Sequence, residues 1–308
     1  MRARAVLCAL FVCLVLLAAK ARAGEQSFVD DSGQTVRWSK PFGRVISLYP
    51  AHTENLLALG LDAELVGVSP GVEDLPGAAG KPVFSYHDDP ERFLAAGPDL
   101  VLVRPMIERG YPKLMERLRG WGAAVVSLQP HTMAELYDYW RKLGSLTGRA
   151  AQAEEMVRAF QAGVEREERQ AAGIPPGKRP RVFFESIHSR MKTFAPDSMA
   201  VFVLTAAGGV NLASDARPVR GTNIAEYGKE RILSQAPEMD VYLAQRGTMN
   251  KVEVRDIAGE SGFAAIKAVA QGRVYLIDEN LVSRPTPRLL QGIARLRELL
   301  YTKPGAAR

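Results

Sequence analysis

The chain has 308 residues, with 40 Lys and Arg against 34 Asp and Glu. Four basic residues lie in the first 23 positions, so the remainder carries 36 basic against 34 acidic residues, a balance that removes support for nucleic acid as a partner. Both cysteines, Cys8 and Cys13, lie in the same opening segment, so the rest of the chain has no thiol for a disulfide, a cysteine-ligated zinc or a nucleophile.

The first 23 residues have the pattern of a secretory signal peptide. Arg2 and Arg4 precede an apolar run over residues 5–19, and Ala21-Arg22-Ala23 is a small-residue cleavage site. The run is shorter than the roughly 20 apolar residues that cross a bilayer, which disfavours a membrane anchor. We therefore predict export to the periplasm, with cleavage after Ala23.

The first half of the chain after this segment predicts an α/β lobe. Residues 28–38 alternate around Asp31-Ser32-Gly33, which predicts a β-hairpin. Short apolar strands alternating with helices are typical of a parallel sheet covered on both faces. The pattern places strands at residues 44–48, 66–68, 83–84, 100–103 and 124–128, and helices at 90–96 and 111–121. We predict an N-terminal lobe over residues 24–147.

A long helix follows this lobe. Ala153, Val157, Phe160 and Val164 recur at helical spacing, and the Gly- and Pro-rich residues 173–177 end the pattern. At 1.5 Å per residue, such a helix is about 36 Å long, enough to span a small domain. We predict a rigid connecting helix over residues 148–173.

After the long helix the strand pattern restarts. Residues 181–185 mirror 44–48, residues 236–243 mirror 97–103, and residues 272–277 mirror 122–128. A last helix is predicted over 287–301. The pattern predicts a second α/β lobe over residues 178–303, built on the same plan as the first.

Several short motifs in a fixed order carry a family resemblance. They are an Arg44-Val45 strand followed by Pro50 and Glu54, Gly97-Pro98-Asp99 before a strand, Ala207-Gly208-Gly209-Val210-Asn211, and Gly272-Arg273-Val274-Tyr275. With the hairpin and the long helix, they make the chain resemble the periplasmic binding proteins that capture ferric siderophores, haem and cobalamin for ABC importers. The resemblance implies a monomer of two Rossmann-like lobes with parallel-rich sheets, joined by a single long interlobe helix, with a ligand groove between them.

Candidate ligand contacts are the side chains that follow the predicted strands. In open α/β sheets, ligands bind beyond the carboxyl ends of the strands. The candidates in the first lobe are Tyr49, His52, Tyr86, His87, Arg104, Met106 and His131; those in the second are His188, Arg190, Arg220, Arg246 and Arg284, with Met191, Phe194, Arg217 and Arg288 at the same level.

The chemistry of these candidates suits an anionic metal complex. Aromatic and thioether side chains pack against flat rings, and guanidinium groups bind carboxylates through paired hydrogen bonds. Imidazole is the commonest metal ligand, and His188 is the candidate for coordination of the metal in a chelate. For each residue, simple solvation or ordinary packing at a lobe interface stays open as the alternative.

Two glutamates have a different expected role. By resemblance, Glu91 and Glu230 match the acidic residues, one per lobe, that dock onto arginines of the permease dimer. A carboxylate near a helix N-terminus also stabilises the helix dipole by a few tenths of a kcal/mol, which is the alternative for both residues.

The main hypothesis is a binding protein for a ferric siderophore, haem or a corrinoid, with no intrinsic cofactor and no enzymatic activity. No G-x-S-x-G elbow and no G-x-G-x-x-G after a strand is present, and the Gly- and Lys-containing residues 173–178 lack phosphate-loop spacing. Two alternatives remain: a binding protein for a bare metal ion that uses His52, His87, His131 and His188, and a secreted enzyme that acts on a tetrapyrrole or metal complex.

Overall fold

The computed structural model describes residues 24–72, 75–219 and 222–301. The predicted signal peptide over residues 1–23, the candidate Arg220 and the last two positions of the predicted second lobe lie outside the described residues. The chain divides into two compact units. The first ends at Gln129 and also includes Lys142–Ala150; the second includes Pro130–Arg141 and continues from Ala151.

The first unit contains the predicted hairpin and a parallel sheet. The hairpin strands β1 (Gln26–Val29) and β2 (Thr35–Trp38) pair antiparallel. The sheet consists of β3 (Val45–Ser47), β4 (Leu65–Gly67), β5 (Leu100–Val103) and β6 (Ala124–Ser127). All of its strand pairs are parallel, in the order β4-β3-β5-β6. The strand predicted at residues 83–84 is reduced to a single parallel bridge between Val68 and Val83.

Within residues 24–72 and 75–129 of this unit, four short helices begin at a proline. They are α1 (Pro50–Ala58), α2 (Pro90–Ala96), α3 (Pro105–Gly110) and α4 (Pro112–Gly120). Proline suits the first helical position because its fixed φ is already helical and its missing N–H would be unpaired there. Fully buried Ile46, Phe93 and Val101 join the sheet to the helices in one apolar core.

Two longer helices follow. The helix α5 (Met133–Thr147) belongs to the second unit up to Arg141 and to the first from Lys142, and α6 covers Ala150–Ala172. Phe160 of α6 packs edge-on against Trp140 of α5 at 5.2 Å between ring centres. The helix predicted at 148–173 is therefore present, while its role as a rigid connector stays a prediction.

The second unit repeats the parallel plan and adds antiparallel strands. Its strands are β7 (Arg181–Ile187), β8 (Lys192–Phe194), β9 (Val210–Asn211), β10 (Arg217–Pro218), β11 (Ile224–Glu226), β12 (Val241–Arg246) and β13 (Val274–Asp278). β9 and β12 pair parallel with β7, and β13 pairs parallel with β12. On the other side, β8 pairs antiparallel with β7, β11 with β8, and β10 with β11, so the order is β10-β11-β8-β7-β12-β13 with β9 also on β7. The parallel set β9-β7-β12-β13 matches β4-β3-β5-β6 of the first unit.

Six further helices lie in the described residues of the second unit. They are α7 (Met199–Ala206), α8 (Lys229–Ser234), α9 (Val254–Gly259), α10 (Lys267–Ala270), α11 (Glu279–Val282) and α12 (Leu289–Tyr301). Short 3-10 segments cover Pro176–Lys178, His188–Arg190, Ala236–Glu238 and Phe263–Ala265.

The antiparallel addition corrects the prediction for Phe194. After β7 the chain reverses through the 3-10 turn His188–Arg190, where Met191 adopts a left-handed conformation with φ of 47°. Phe194 then lies in β8, fully buried, with its ring 4.7 Å from that of Phe184. It is a core residue of the sheet and has no surface that a ligand could contact.

Asp30 ties the hairpin to the carboxyl end of β6. Its side chain is 4% exposed and accepts hydrogen bonds from the backbone N–H groups of Ser32, Gln34 and Ser127, at 3.0, 2.9 and 2.9 Å. The bonds from Ser32 and Gln34 close the turn of the hairpin, and the bond from Ser127 attaches the hairpin to β6.

We expect Asp30→Ala to lower the free energy of unfolding by about 3 kcal/mol, because hydrogen bonds to charged groups contribute about 1.5–3 kcal/mol and three backbone N–H groups, of which that of Ser127 is buried, lose their acceptor. Urea unfolding measures the change. The exposed Asp138→Ala is the matched control and should leave stability nearly unchanged. Equal effects of the two substitutions would contradict the role of Asp30.

Candidate ligand-binding site

The carboxyl ends of β3 and β5 bring Tyr49 and Arg104 together in the first unit. Tyr49 is the N-cap residue of α1, and Arg104 is the N-cap residue of α3. The Arg104 guanidinium carbon lies 4.3 Å from the centre of the Tyr49 ring, a cation–π contact. Both side chains are half-buried. Their contact follows from the parallel pairing of β3 with β5.

His52 supports this pair from inside the unit. The side chain is 0% exposed, and its Nε2 donates a hydrogen bond to the backbone oxygen of Val103 at 3.0 Å. Burial away from water lowers the pKa of His52 to about 3, the hydrogen bond opposes this shift, and the charge of Arg104 adds to it. The structure thus corrects the prediction of His52 as a ligand contact: it is a neutral, buried, structural imidazole.

A second aromatic group in the first unit consists of Tyr86, His87 and Tyr111. The centre of the Tyr86 ring lies 4.5 Å from the centre of the His87 ring and 4.8 Å from that of Tyr111. The Tyr111 hydroxyl lies 3.1 Å from His87 Nδ1. His87 is exposed and the two tyrosines are half-buried. The group therefore offers aromatic faces with polar edges, a surface that suits a flat ring or a chelate.

Tyr111 was not among the predicted site residues, because the pattern placed it inside a helix over residues 111–121. In the structure it stands between α3 and α4, with φ of −132° and ψ of 51°. The signal was Pro112, since the residue before a proline is pushed out of the helical region. Met106 on α3 is 49% exposed, and its predicted ligand contact stays a prediction.

The histidines do not form a metal cluster in the described part of the chain. His131 follows β6 as predicted, and its backbone N–H donates to Glu135 Oε2 at 2.7 Å, at the start of α5. Among residues 24–72, 75–219 and 222–301, no three His, Cys, Asp or Glu side chains are grouped so that they could hold a metal ion. The alternative of a bare metal ion held by His52, His87, His131 and His188 therefore finds no cluster among these residues.

In the second unit, Glu185, His188 and Tyr242 form a hydrogen-bonded group at the carboxyl end of β7. Glu185 is 0% exposed, and its Oε2 accepts from His188 Nδ1 at 2.9 Å and from the Tyr242 hydroxyl. Asn250 Oδ1 accepts from the backbone N–H of His188 at 2.9 Å. A carboxylate that holds one ring nitrogen leaves Nε2 as the outward nitrogen of His188. Sequence analysis missed Glu185, although a single acidic residue in the apolar strand R-V-F-F-E-S-I was a visible signal.

The charges around His188 favour its protonated form. The hydrogen bond to Glu185 raises the pKa of His188; burial opposes this shift, and the charges of Glu185, Glu260 and Asp256 add to it. Nε2 lies 4.0 Å from Glu260 Oε2, while Glu260 Oε1 pairs with Lys229 at 2.5 Å. Coordination of a metal by His188 would therefore compete with a proton, and the predicted coordination stays a prediction.

The arginines predicted in the second unit occupy different loops. Arg190 is exposed in the 3-10 turn, Arg284 is half-buried after α11, and Arg246 is exposed at the end of β12, with Nη1 3.3 Å from Glu253 Oε1. Their grouping on one ligand-binding surface stays a prediction.

The two glutamates of the expected docking pair have matching local positions. Glu91 lies in the first turn of α2 and Glu230 in the first turn of α8, and both are exposed. Glu91 Oε1 lies 3.5 Å from Arg117 Nη1, with both side chains more than half exposed. An exposed pair of this kind contributes little to stability, so Glu91 is available to another cation.

Residues 45–281 match the family model described as periplasmic binding protein. The chain belongs to this family. The matched stretch begins with β3 and ends in α11, so it contains the parallel strands of both units and the loops described above. For this periplasmic binding protein, the α/β fold with parallel-rich sheets is confirmed.

Several known proteins are similar to this periplasmic binding protein. An uncharacterized ABC transporter substrate-binding lipoprotein, YvrC of Bacillus subtilis (strain 168), is 26% identical over 276 residues, 88% of this chain and 84% of the relative. The vitamin B12-binding protein of Vibrio parahaemolyticus is 27% identical over 267 residues, 84% of this chain and 90% of the relative. A solved structure of a possible iron-binding protein from Staphylococcus epidermidis has a TM-score of 0.73 at 29% identity, covering 85% of this chain and 100% of the other.

The described residues include no helix with the length and apolar character that crossing a membrane requires.

We expect His52 to make the stability of this periplasmic binding protein fall as pH drops below about 6.5. The unfolded chain binds a proton at His52 near pH 6.5, whereas the folded chain binds it only near pH 3, so acid favours the unfolded state. The loss is at most about 1.4 kcal/mol per pH unit in this window.

His52→Gln keeps a donor for Val103 but removes the titrating group, so its free energy of unfolding should fall less steeply with acid than that of the wild type. Urea unfolding at several pH values between about 4 and 7, most of the window between the two pKa values, measures the two slopes. Parallel slopes would show that His52 does not contribute.

Proposed function

We propose that this periplasmic binding protein captures a metal chelate, meaning a ferric siderophore, haem or a corrinoid, and delivers it to the permease dimer of an ABC importer. The observation that carries the proposal is the grouping of aromatic and cationic side chains beyond the carboxyl ends of the parallel strands, with Tyr86, His87 and Tyr111 in one cluster and Arg104 on Tyr49. Two relatives support the same class of cargo by their names. The Vibrio parahaemolyticus relative is a vitamin B12-binding protein, and the Staphylococcus epidermidis structure is that of a possible iron-binding protein.

The cluster favours binding of a chelate over binding of a bare metal ion. A bare ion needs several protein ligands in tetrahedral or octahedral geometry, and the described residues group no three such side chains. A chelate brings its own ligands, so the protein has to supply ring faces, hydrogen bonds and opposite charge. We propose binding and release as the activity, without a chemical step, after export directed by the predicted signal peptide.

Binding is tested with the purified protein and three probes: haemin, a ferric hydroxamate and cyanocobalamin. Fluorescence quenching or calorimetry should show one of them bound tightly. The double variant Tyr86→Ala/Tyr111→Ala should then raise its Kd by about tenfold or more, because each aromatic contact contributes about 0.5–1.5 kcal/mol beyond its buried area.

The matched control for this experiment is Trp121→Ala. Trp121 is 39% exposed and follows the end of α4, whereas Tyr111 precedes the start of the same helix. Trp121→Ala should leave the Kd unchanged. An equal loss of affinity in the double variant and in Trp121→Ala would refute the proposed cargo. So would the absence of binding to all three probes, if mass spectrometry of the natively purified protein also finds no bound small molecule.

We expect Glu91→Ala and Glu230→Ala to abolish uptake of the cargo in cells while leaving its Kd unchanged. The substitutions remove one exposed carboxylate from each unit, which would pair with permease arginines. The exposed Glu116→Ala in the first unit and Glu155→Ala in the second are the controls. Normal uptake by the double variant Glu91→Ala/Glu230→Ala would remove the docking assignment.

A further inference from the structure

We propose that Met106 and Met249 form a matched pair of oxidation sites, and that conversion of their thioethers to sulfoxides by a peroxide weakens cargo binding. The second half of the inference rests on the proposed function, because it requires a cargo at the carboxyl ends of the strands. The first half, the selective oxidation of these two side chains, depends on the protein alone.

Methionine is the one source of oxidisable sulfur in the chain after residue 23. Both cysteines precede residue 24, and of the nine methionines only Met1 does, which leaves eight. Methionine sulfoxide can be reduced again by dedicated reductases. Any reversible sulfur oxidation in this part of the chain therefore has to use a methionine.

Exposure separates two of these methionines from the others. Met106 is 49% exposed and Met249 is 51% exposed. The other six described methionines are less accessible: Met133, Met156 and Met191 are half-buried, and Met115, Met199 and Met239 are buried. A peroxide reaches an exposed sulfur directly, whereas it reaches a buried sulfur only when the fold opens.

Met106 and Met249 occupy the same place in the two units. β5 ends at Val103 and β12 ends at Arg246, so each methionine lies three residues beyond the end of its strand. The two strands correspond, because β5 pairs parallel with β3 and β12 pairs parallel with β7. Single exposed apolar residues are common on protein surfaces. Here both exposed methionines lie at the edge of a parallel sheet where ligands bind in open α/β folds.

The loop that carries Met249 is fixed by buried polar side chains. Glu279 is 7% exposed and accepts a hydrogen bond from the backbone N–H of Met249 at 3.2 Å. Asn250 donates to the backbone oxygen of Gln245 at 2.8 Å and accepts from the backbone N–H of His188 at 2.9 Å. The backbone is therefore held in place while the thioether stays exposed, as a contact residue requires.

Met106 is held by a different local structure, the first turn of α3. It follows Pro105, the first residue of that helix. The backbone N–H groups of Ile107 and Glu108 donate to the backbone oxygen of Arg104 at 2.9 and 3.0 Å and close the turn. Two unrelated local structures thus present an exposed thioether at corresponding positions, which favours a shared role.

Oxidation changes what this side chain can bind. The sulfur attacks one oxygen of hydrogen peroxide, an S–O bond forms and the O–O bond breaks. The departing hydroxide takes the proton of the transferred oxygen and leaves as water, so the sulfur loses two electrons and the peroxide gains them. The product is a polar, chiral sulfoxide. A thioether packs against flat rings through a flexible, polarizable and apolar chain, and the sulfoxide no longer does so.

Selective oxidation is tested by treating the mature, cargo-free protein with hydrogen peroxide and following the sulfoxide at each methionine by peptide mass spectrometry. Met106 and Met249 should be oxidised about tenfold or more faster than the three buried methionines, whose sulfurs become accessible only through opening of the fold. The melting temperature should stay near that of the untreated protein, since both side chains are about half exposed.

The effect on binding is measured after the peroxide has been removed with catalase and gel filtration, so that the oxidant does not meet the cargo. The probes are haemin, a ferric hydroxamate and cyanocobalamin. The Kd of the probe that binds should rise by about fivefold or more, because each thioether–ring contact contributes a factor of about 2 to 12 in affinity. Methionine sulfoxide reductases A and B, with dithiothreitol as the reductant, should restore the original Kd.

The double variant Met106→Leu/Met249→Leu keeps the apolar volume and removes both sulfurs. Whatever its starting Kd, its Kd after peroxide treatment should equal its Kd before treatment. The matched control is Met133→Leu/Met156→Leu, whose methionines are half-buried on α5 and α6. Its Kd should rise after peroxide treatment as much as that of the wild type.

Three results would overturn the inference: equal oxidation of exposed and buried methionines, an unchanged Kd once Met106 and Met249 are oxidised, or an equal rise of Kd in Met106→Leu/Met249→Leu. A protein that binds a probe but shows any of these results keeps the proposed cargo. A protein that binds none of the probes but is oxidised first at Met106 and Met249 refutes the proposed cargo and the second half of the inference, and supports the first half.

Discussion

Parallel pairing of neighbouring strands is the constraint on which the binding residues of both units depend. Because parallel strands end at the same edge of a sheet, residues that follow them become neighbours even when they are far apart in the chain. The pairing of β3 with β5 places Arg104 over Tyr49, and the pairing of β7 with β12 places Tyr242 within reach of Glu185. The helices that cover the sheets keep these edges in position by burying the strands on both faces.

Two histidines show how the surroundings decide the chemistry of one residue type. His52 is removed from water, so its neutral form is favoured and it serves as a hydrogen-bond donor in the interior. His188 is hydrogen-bonded to the buried Glu185 and lies near Glu260, so its charged form is favoured. Each follows the first parallel-paired strand of its unit's main sheet, and the position in the sequence alone does not separate them.

Much of the fold was predictable because local signals agree with the global plan. The helices α2 and α4, the hairpin turn and most of the apolar strands were readable from short windows. The antiparallel strands β8, β11 and β10 were not readable, because they are two or three residues long and are stabilised by pairing with β7 and with one another rather than by their own composition. Phe194 was therefore misplaced in a loop, and Tyr111 was hidden in a helix that begins one residue later.

The sequence by itself determined the class of protein: two α/β halves with polar and aromatic residues after their strands. It could do so because hydrophobic periodicity and turn residues specify helices, strands and turns within short stretches of the chain. Only the tertiary structure decided what each of these residues can do. Burial removed His52 from the ligand contacts, Glu185 was added as the partner of His188, and Arg104 was placed over the ring of Tyr49. These properties depend on distances between residues far apart in the chain, and such distances exist only once the chain has folded.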